Sequence, residues 1–232
     1  MSDTLLNNHS QFASSNKFCF HIIDLRPSLE TVYGSLHNNC VRRKIKRAER
    51  EKLTYECGGT DELLRKFWHL LLLTRRRHQL PPQPPPWFHN MLRCLGDQAI
   101  IHVASKDGVP VASILTLRHK ARLIYKYGCS DAKFNAMGGT PLLFWKVIQQ
   151  AHSAGIEEFD LGRSSFDDLG LIDFKGHLGA TPSDLIYYRN PPPSTKPMRQ
   201  TPLLSFLPRQ ALAKLPDPLF AGVGRLLYRH MG

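Results

Sequence analysis

The spacing of apolar residues predicts alternating strands and helices over roughly the first 95 residues. After Pro27 and Ser28, apolar side chains recur three or four residues apart from Leu29 to Leu36, which is the spacing of one helix face. The run FCFHIIDL before this helix, residues 18–25, predicts a strand. The same pattern predicts a helix over 41–51, a strand over 53–57, a helix over 61–79 and a short helix over 88–95.

A sheet with one crossover is predicted for the next part of the chain. The segments QAIIHVAS, VPVASILTLRH and RLIYKYGCS are joined by short turns and predict an antiparallel three-stranded meander. A helix is predicted over 141–154, with Thr140 as its cap, Pro141 at its first position and Gly155 at its end. The strand EEFDLGR follows. Strand, helix and strand at this length predict a right-handed crossover between parallel strands, and so a mixed α/β fold.

The length and composition fit one domain with appendages. With 232 residues of which 42% are hydrophobic, the chain has enough apolar side chains for one core. Residues 1–17 are polar and unpatterned, which predicts a disordered lead-in before a domain over 18–190. A proline-rich linker over 191–202 leads into a basic, amphipathic tail over 203–232. Prolines divide this tail into short pieces, so we expect it to dock on its own domain, with contact to a membrane surface as the alternative.

Charge and cysteine content indicate which kind of partner, metal site and cellular location to expect. Lys and Arg number 31 against 19 Asp and Glu, a formal net charge of +12, so a negatively charged partner or substrate is expected. The five cysteines are scattered and form no Cys-x-x-Cys pair, and the spacing of the histidines does not indicate a metal site. No metal site is therefore expected. The absence of a signal peptide or an apolar span favours a cytoplasmic protein.

Three segments, taken together in this order, resemble GNAT acyltransferases. The resemblance is to the second GNAT half of FemA/FemB/FemX-like proteins, including relatives associated with exopolysaccharide production, and it covers about residues 20–190. It implies a donor held between two splayed parallel strands, here RLIYKYG and EEFDLGR. It also implies no tightly bound cofactor, with acyl-CoA or aminoacyl-tRNA as co-substrate. The segments are NNCVRRKIKRAEREKLTYE, YKYGCSDAKFNAMGGTPLLFWKVIQQAHSAGIEEFDLGRSS and GLIDFKGHLGATPSDLIYY.

The loop before the crossover helix is the predicted donor-binding segment. Gly138 and Gly139 leave backbone N–H groups unshielded at a helix start, which favours an anion, although a tight turn before the helix is the alternative. The usual coenzyme A loop reads Gln or Arg, two residues, Gly, one residue, then Gly or Ala. This chain has Asn135, Gly138 and Thr140 at those positions. Because of this departure, aminoacyl-tRNA, which Fem-type relatives use, stays beside acyl-CoA as the expected donor.

Two charged segments are predicted to bind substrate. The segment VRRKIKRAERE carries six bases against two acids and places Arg43 and Arg47 on one helix face, where they would bind phosphate. A solvated helix face is the alternative. Asp160 and Arg163 lie near the carboxyl end of a parallel strand, where open α/β sheets bind ligands. Asp160 is a catalytic candidate and Arg163 would meet a phosphate or carboxylate, unless the two form an internal ion pair.

A lysine and two tyrosines complete the candidate site. The resemblance assigns stabilisation of the oxyanion or leaving group to Lys175, in LIDFKGHLGA, with a surface lysine as the alternative. Tyrosines sometimes serve as general acids in GNAT sites. Tyr127 is therefore a catalytic candidate and Tyr187 a substrate-binding candidate, unless both are ordinary sheet aromatics.

These features predict an N-acyltransferase that acts on an amine of a cell-wall or exopolysaccharide precursor. The expected acceptor is an anionic small molecule or a lipid-linked precursor, and tRNA is a further candidate partner. Because Fem-type proteins carry two GNAT halves, a homodimer or a second GNAT subunit is expected to complete the site. The expected location is the cytoplasm, with the inner face of the membrane as a further candidate. The alternatives are a catalytically silent accessory protein of a polysaccharide pathway and a basic nucleic-acid-binding protein.

Overall fold

A seven-stranded mixed sheet organises the domain, which is described here from a computed structural model covering residues 12–190 and 214–228. The strands are β1 (Ala13–Asp24), β2 (Thr54–Gly58), β3 (Ala99–Lys106), β4 (Val109–His119), β5 (Arg122–Ser130), β6 (Glu158–Ser164) and β7 (Thr181–Arg189). The α-helices are α1 (Leu29–Ser35), α2 (Arg43–Arg50), α3 (Asp61–Arg77), α4 (Pro85–Leu95), α5 (Gly139–Ser153), α6 (Leu169–His177) and α7 (Asp217–Tyr228). A π-helical turn, Asn38–Arg42, precedes α2, and a 3-10 turn, Ala132–Met137, precedes α5.

The crossover predicted from the sequence is present between β5 and β6. The strand order is β2-β3-β4-β5-β6-β1-β7, and the described strands pair antiparallel except for β5 with β6. Parallel pairing covers only Arg122 with Glu158, Leu123 with Phe159 and Ile124 with Asp160. Beyond these pairs, the two strands diverge and leave a gap at their carboxyl ends. The prediction of a mixed α/β fold with a splayed pair of parallel strands is therefore confirmed.

Helices cover both faces of the sheet, and the sheet separates the apolar core into two clusters. On one face, α1, α2 and α5 pack against the sheet through a cluster that includes Val32, Ile45 and Phe144. On the other face, α3 and α4 bury Phe67 and Phe88. Apolar side chains are buried on both faces because each face is covered by helices, and the central strands β3 and β4 accordingly carry nearly continuous buried runs.

Three predicted boundaries differ from the structure. The lead-in was predicted to extend to residue 17, but β1 begins at Ala13, because Ala13 pairs with Arg189 of β7 along the sheet edge. The crossover helix begins at Gly139, so Thr140 is not its cap and Pro141 is not its first residue. The cap position belongs to Gly138, which has φ 81°. Helix α4 begins at Pro85, because prolines are accepted in the first turn, where no N–H bond is required.

The tail contributes a docked helix. In α7, Phe220 is fully buried and packs with Leu72 of α3, while Arg76 hydrogen-bonds both Asp217 and the carbonyl oxygen of Leu215. The predicted linker over 191–202 and the first part of the tail lie outside the described residues. Within the described ranges, no helix has the combined length and apolar character that crossing a membrane requires.

Candidate active site

A cavity of about 540 Å³ lies where β5 ends and α5 begins. Its walls come from the turn before α2, the start of β4, the loop after β5, the first turn of α5 and the exposed side of α6. Three of the four predicted donor-binding residues, Asn135, Gly139 and Thr140, line it, and Ser130 donates a hydrogen bond to Asn135 at 3.1 Å. The cavity therefore lies at the carboxyl end of a parallel strand, where the sequence predicts it.

Gly138 packs against helix α2. A Cβ atom on Gly138 would lie 2.2 Å from the carbonyl oxygen of Lys44, and the residue has φ 81°. Both facts require glycine, because no other residue fits the space or adopts this conformation readily. Gly138 is buried and does not line the cavity, so its role here is close packing of the loop onto α2.

Gly139 and Thr140 present the first turn of α5 to the cavity. A Cβ atom on Gly139 would lie 3.1 Å from side-chain atoms of both Val111 and Ala112, so the helix start sits tightly on β4. Pro141 has no N–H group, which leaves the backbone N–H groups of Gly139 and Thr140 as the donors of this turn. The first turn of α5 therefore offers an anion fewer backbone donors than an ordinary helix start does.

Lys175 is buried beside the end of β6. Its ammonium donates hydrogen bonds to the carbonyl oxygens of Gly162 at 2.9 Å and Arg163 at 3.1 Å, and the residue is 2% exposed. The alternative of a surface lysine is therefore wrong. Burial lowers the pKa of Lys175, and the negative charges of Asp160 and Asp168 oppose that shift. A fixed ammonium is thus held at the carboxyl end of the strand that borders the gap.

Asp160 is close enough to Lys175 for the charges of the two side chains to interact. Its carboxylate accepts the N–H of Gly162 at 2.7 Å, and burial raises its pKa, although that hydrogen bond and the charges of Arg122 and Lys175 lower it. No ion pair joins Asp160 to Arg163 among the described residues. Leu161 is the extra residue of a bulge in β6, between the pairs His21 with Gly162 and Ile22 with Asp160, and Gly162 has φ 72°. At this bulge, Asp160 bonds its own backbone, whereas Arg163 is exposed.

Tyr127 lies apart from Lys175, on the other face of the sheet. It packs between Phe67 and Phe88 and accepts a hydrogen bond from the indole N–H of Trp87 at 3.2 Å. A bulge in β5 opposite Leu115 and Thr116 is the reason, because it reverses the alternation so that Tyr125 and Tyr127 face opposite sides. The prediction that Tyr127 shares a site with Lys175 is not met.

Arg163 and Tyr187 do meet, outside the cavity. The guanidinium of Arg163 stacks on the rings of Phe18 at 4.3 Å and Tyr187 at 5.0 Å. Phe18 and Tyr187 lie edge to face, 5.5 Å apart. The two predicted substrate-binding residues therefore form one exposed aromatic and cationic surface on β1, β6 and β7.

The basic helix α2 places Lys44 at the cavity, whereas the sequence predicts that Arg43 and Arg47 bind substrate. Lys44 lines the cavity, whereas Arg43 and Arg47 are exposed on α2, and Arg47 forms an i, i+4 ion pair with Glu51 at 3.5 Å. Arg43 borders a separate shallow depression together with Lys46 and Arg50. An exposed pair of this kind contributes little to stability, so α2 keeps most of its positive charge available to a partner.

Sequence reasoning missed two groups near the site. His37 and Cys40, which are three residues apart, meet His177 from α6, and their ligand atoms all lie within 4.8 Å of one another. The spacing His-x-x-Cys was the available signal. Cys19 and His21 of β1 are also buried, with the thiol 3.7 Å from the His21 ring. Burial, and then the charge of Lys175, lower the pKa of His21.

Comparisons with known proteins agree with this architecture. A family model described as Acetyltransferase (GNAT) domain matches residues 37–175. The crystal structure of FemX superposes with a TM-score of 0.69 at 16% identity, covering 82% of this chain and 69% of that one. The structure of L-PGS from Bacillus licheniformis superposes with a TM-score of 0.59 at 16% identity, covering 92% and 70%.

A third structure and the curated proteins complete the comparison. A C-terminal domain described as that of a lysylphosphatidylglycerol synthetase from Agrobacterium fabrum has a TM-score of 0.57 at 16% identity, covering 81% of this chain and 65% of that one. No curated protein matches the sequence significantly. At this level of identity, the structural likenesses concern the fold.

Proposed function

This chain belongs to the GNAT acetyltransferase family, and on that premise we propose that it transfers an acyl or aminoacyl group to an amine on a cell-wall or exopolysaccharide precursor. The observation that carries the proposal is the buried ammonium of Lys175, fixed on the carbonyl oxygens of Gly162 and Arg163 where β5 and β6 diverge. Fixed positive groups in a water-poor site stabilise the negative charge that develops during acyl transfer.

The proposed reaction is direct transfer within the gap. The acceptor nitrogen attacks the donor carbonyl carbon and forms the new C–N bond, and the carbonyl oxygen becomes a transient oxyanion. Lys175 stabilises that charge. Asp160 accepts the proton that the attacking amine loses and passes it to the leaving group, which departs as a thiol or a hydroxyl when its bond to the carbonyl carbon breaks. The raised pKa of Asp160 supports its role as proton acceptor.

The donor is proposed to be acyl-CoA or aminoacyl-tRNA, held without a tightly bound cofactor. Its anionic part would lie along Asn135, Gly139 and Thr140 at the cavity, with Gly138 holding their loop in place. One of the similar structures is described as part of a lysylphosphatidylglycerol synthetase, a name that denotes attachment of an amino acid to a lipid, and this supports an aminoacyl donor. The two available N–H groups at the start of α5 agree with a donor that relies little on a pyrophosphate cradle.

The acceptor is proposed to carry negative charge. A net charge of +12, Lys44 at the cavity and the exposed Arg43 and Arg47 on α2 support an anionic or lipid-linked acceptor, and also an approach by tRNA. The surface of Arg163 and Tyr187 is a second proposed contact for acceptor phosphate or carboxylate. Cytoplasmic location at the inner face of a membrane, with the tail touching lipid, belongs to the same proposal. So does a second GNAT subunit or a second copy of the chain.

A donor panel tests the proposal. The full chain is incubated with a series of acyl-CoAs and aminoacyl-tRNAs and with amine acceptors, and acylated products are identified by mass spectrometry. Thr140→Trp, which would fill the cavity, is expected to abolish product formation. The matched control Thr181→Trp, on exposed β7, is expected to retain it.

The outcome separates the candidate functions. Donor-dependent acylation that Thr140→Trp removes and Thr181→Trp keeps supports the enzyme. A folded chain that acylates nothing with any donor would favour the silent accessory protein. Tight, salt-dependent tRNA binding without transfer would favour the nucleic-acid-binding alternative.

A further inference from the structure

A backbone hydrogen bond holds His37 beside His177, which lines the cavity. The N–H of His37 donates to the carbonyl oxygen of His177 at 2.9 Å, and the two rings lie 4.4 Å apart. Their neighbours Leu36 and Leu178 are buried in the core. Because both leucines are anchored in the core, the backbone at His37 and His177 is held in place, while the two rings can still rotate about their side-chain bonds.

Cys40 brings a free thiol to the same place. It lies in the π-helical turn, three residues after the capping residue His37, and lines the cavity together with His177. The ligand atoms of the three residues lie within 4.8 Å of one another. A thiol and two imidazoles form a donor set that suits zinc and poorly suits magnesium or calcium.

We propose that His37, Cys40 and His177 form a binding site for a zinc ion, independent of the proposed acyl transfer. Tetrahedral zinc bonds of about 2.0–2.3 Å place neighbouring ligand atoms about 3.3–3.7 Å apart. The ligand atoms, now within 4.8 Å of one another, therefore need to approach by up to about 1.5 Å, which rotation about the side-chain bonds provides. Three protein ligands leave the fourth position to water or another ligand. That position opens to the cavity, because Cys40 and His177 line its wall.

Metal binding competes with one hydrogen bond. His37 Nδ1 accepts the N–H of Cys40 at 3.1 Å and so caps the turn. If the metal binds Nε2, the ring proton moves to Nδ1, which can then no longer accept the Cys40 N–H. If the metal binds Nδ1, it occupies the lone pair that accepts this N–H. The hydrogen bond is lost in either case. The π-helical turn is therefore expected to adjust when the ion binds, and the affinity is reduced by the cost of that bond.

Titration of the full chain with Co²⁺ alone, followed by competition with Zn²⁺, tests the site. Cobalt bound to a thiolate in tetrahedral geometry gives an intense sulfur-to-metal absorption and visible bands. One equivalent is expected to produce both signals, and Zn²⁺ is expected to remove them. Cys40→Ser is expected to remove the sulfur band, and His177→Gln to weaken binding more than about 100-fold, beyond the 10–100-fold lost with an outer partner. Cys57→Ser, at an exposed cysteine on β2, is the matched control and is expected to bind as the wild type does.

Three results would overturn the proposal: no sulfur band in the wild type, a band that persists in Cys40→Ser, or an equal loss in Cys57→Ser. Circular dichroism of each variant checks that the fold is retained, and His37→Gln provides a second histidine variant. None of these readouts involves acyl transfer, so failure of the metal site and failure of the proposed function are distinguishable.

Discussion

The ammonium nitrogen of Lys175 lies 2.9 Å from the carbonyl oxygen of Gly162 and so joins α6 to the end of β6. Removing the ammonium leaves the carbonyl oxygens of Gly162 and Arg163 without this hydrogen-bond donor in a buried site, and each unpaired oxygen costs about 1–3 kcal/mol. We therefore expect Lys175→Ala to lower the free energy of unfolding by about 2–6 kcal/mol, measured by urea denaturation. Lys214→Ala, at an exposed lysine, is expected to change it by less than about 0.5 kcal/mol. Equal stability of the two variants would mean that the buried bonds contribute nothing.

Gly138 is expected to be intolerant of a methyl group. Gly138→Ala meets both a positive φ, which costs about 1–2 kcal/mol, and the carbonyl oxygen of Lys44, whose displacement adds about 1–3 kcal/mol. Gly155→Ala is the matched control, because Gly155 has φ 69° with open space around it. Thermal denaturation should show a larger loss at Gly138. Equal losses would indicate that the contact with α2 relaxes freely.

The basic face of α2 is expected to bind polyanions rather than stabilise the fold. Arg43→Glu with Arg47→Glu should weaken tRNA binding and lower its salt dependence, with stability changed by less than about 1 kcal/mol. Arg93→Glu with Arg118→Glu alters the net charge equally at two other exposed positions. Filter binding over a range of salt concentrations measures both pairs. If the two double variants behave alike, only net charge matters and α2 is a solvated face.

His102 makes the protein sensitive to acid. It is buried, bonds Tyr55 at 2.7 Å and Thr116 at 2.9 Å, and burial lowers its pKa to about 3. Since the folded-state pKa lies below the usual 6.5, folding favours the neutral ring. The stabilisation is present above pH 6.5 and is lost as the pH falls towards 3, at about 1.4 kcal/mol per pH unit.

A neutral replacement isolates this contribution. The free energy of unfolding is measured by urea denaturation at pH 6.5 and at pH 4.5 for His102→Gln and the wild type. Between these two pH values, the wild type is expected to lose about 2–3 kcal/mol more than His102→Gln does. Parallel pH profiles for the two proteins would show that His102 does not titrate in this range.

The tail helix is expected to depend on one aromatic residue. Phe220 is fully buried against α3 and lies under the guanidinium of Arg76, whereas Leu219 is 59% exposed. Phe220→Ala should release α7 and make the tail sensitive to limited proteolysis, with a loss of about 3–5 kcal/mol in docking. Leu219→Ala should leave the cleavage pattern unchanged. Rapid cleavage of the wild type at the tail would contradict docking.

Local signals predicted the elements, whereas contacts between distant segments decided the site. Gly155 and the apolar pattern of α5 identified the crossover correctly because helix ends and faces are local properties. The contact of Gly138 with Lys44 and the meeting of His37 with His177 depend on packing that no local pattern contains. Tyr127 was misplaced because a single bulged residue reverses strand alternation, and periodicity does not reveal it.

The burial of Lys175 was equally beyond sequence reasoning. The resemblance singled out the residue, but its hydrogen bonds to Gly162 and Arg163 follow from the way α6 folds back on β6. Asp168 helps to fix that geometry by capping α6 through the N–H of Leu171. The position of a helix cap is readable from sequence, whereas the strand on which the helix lies is not.

We propose that Lys175 acts in acyl transfer, and the decisive measurement is the turnover number of Lys175→Met. Methionine keeps most of the apolar volume, and rates are normalised to the folded fraction with the donor found in the panel. We predict a kcat about 10²–10³ lower than the wild type, a nearly unchanged KM for the donor, and partial recovery in Lys175→Arg, which restores a positive charge. A wild-type kcat in folded Lys175→Met would show that Lys175 has a purely structural role and takes no part in acyl transfer.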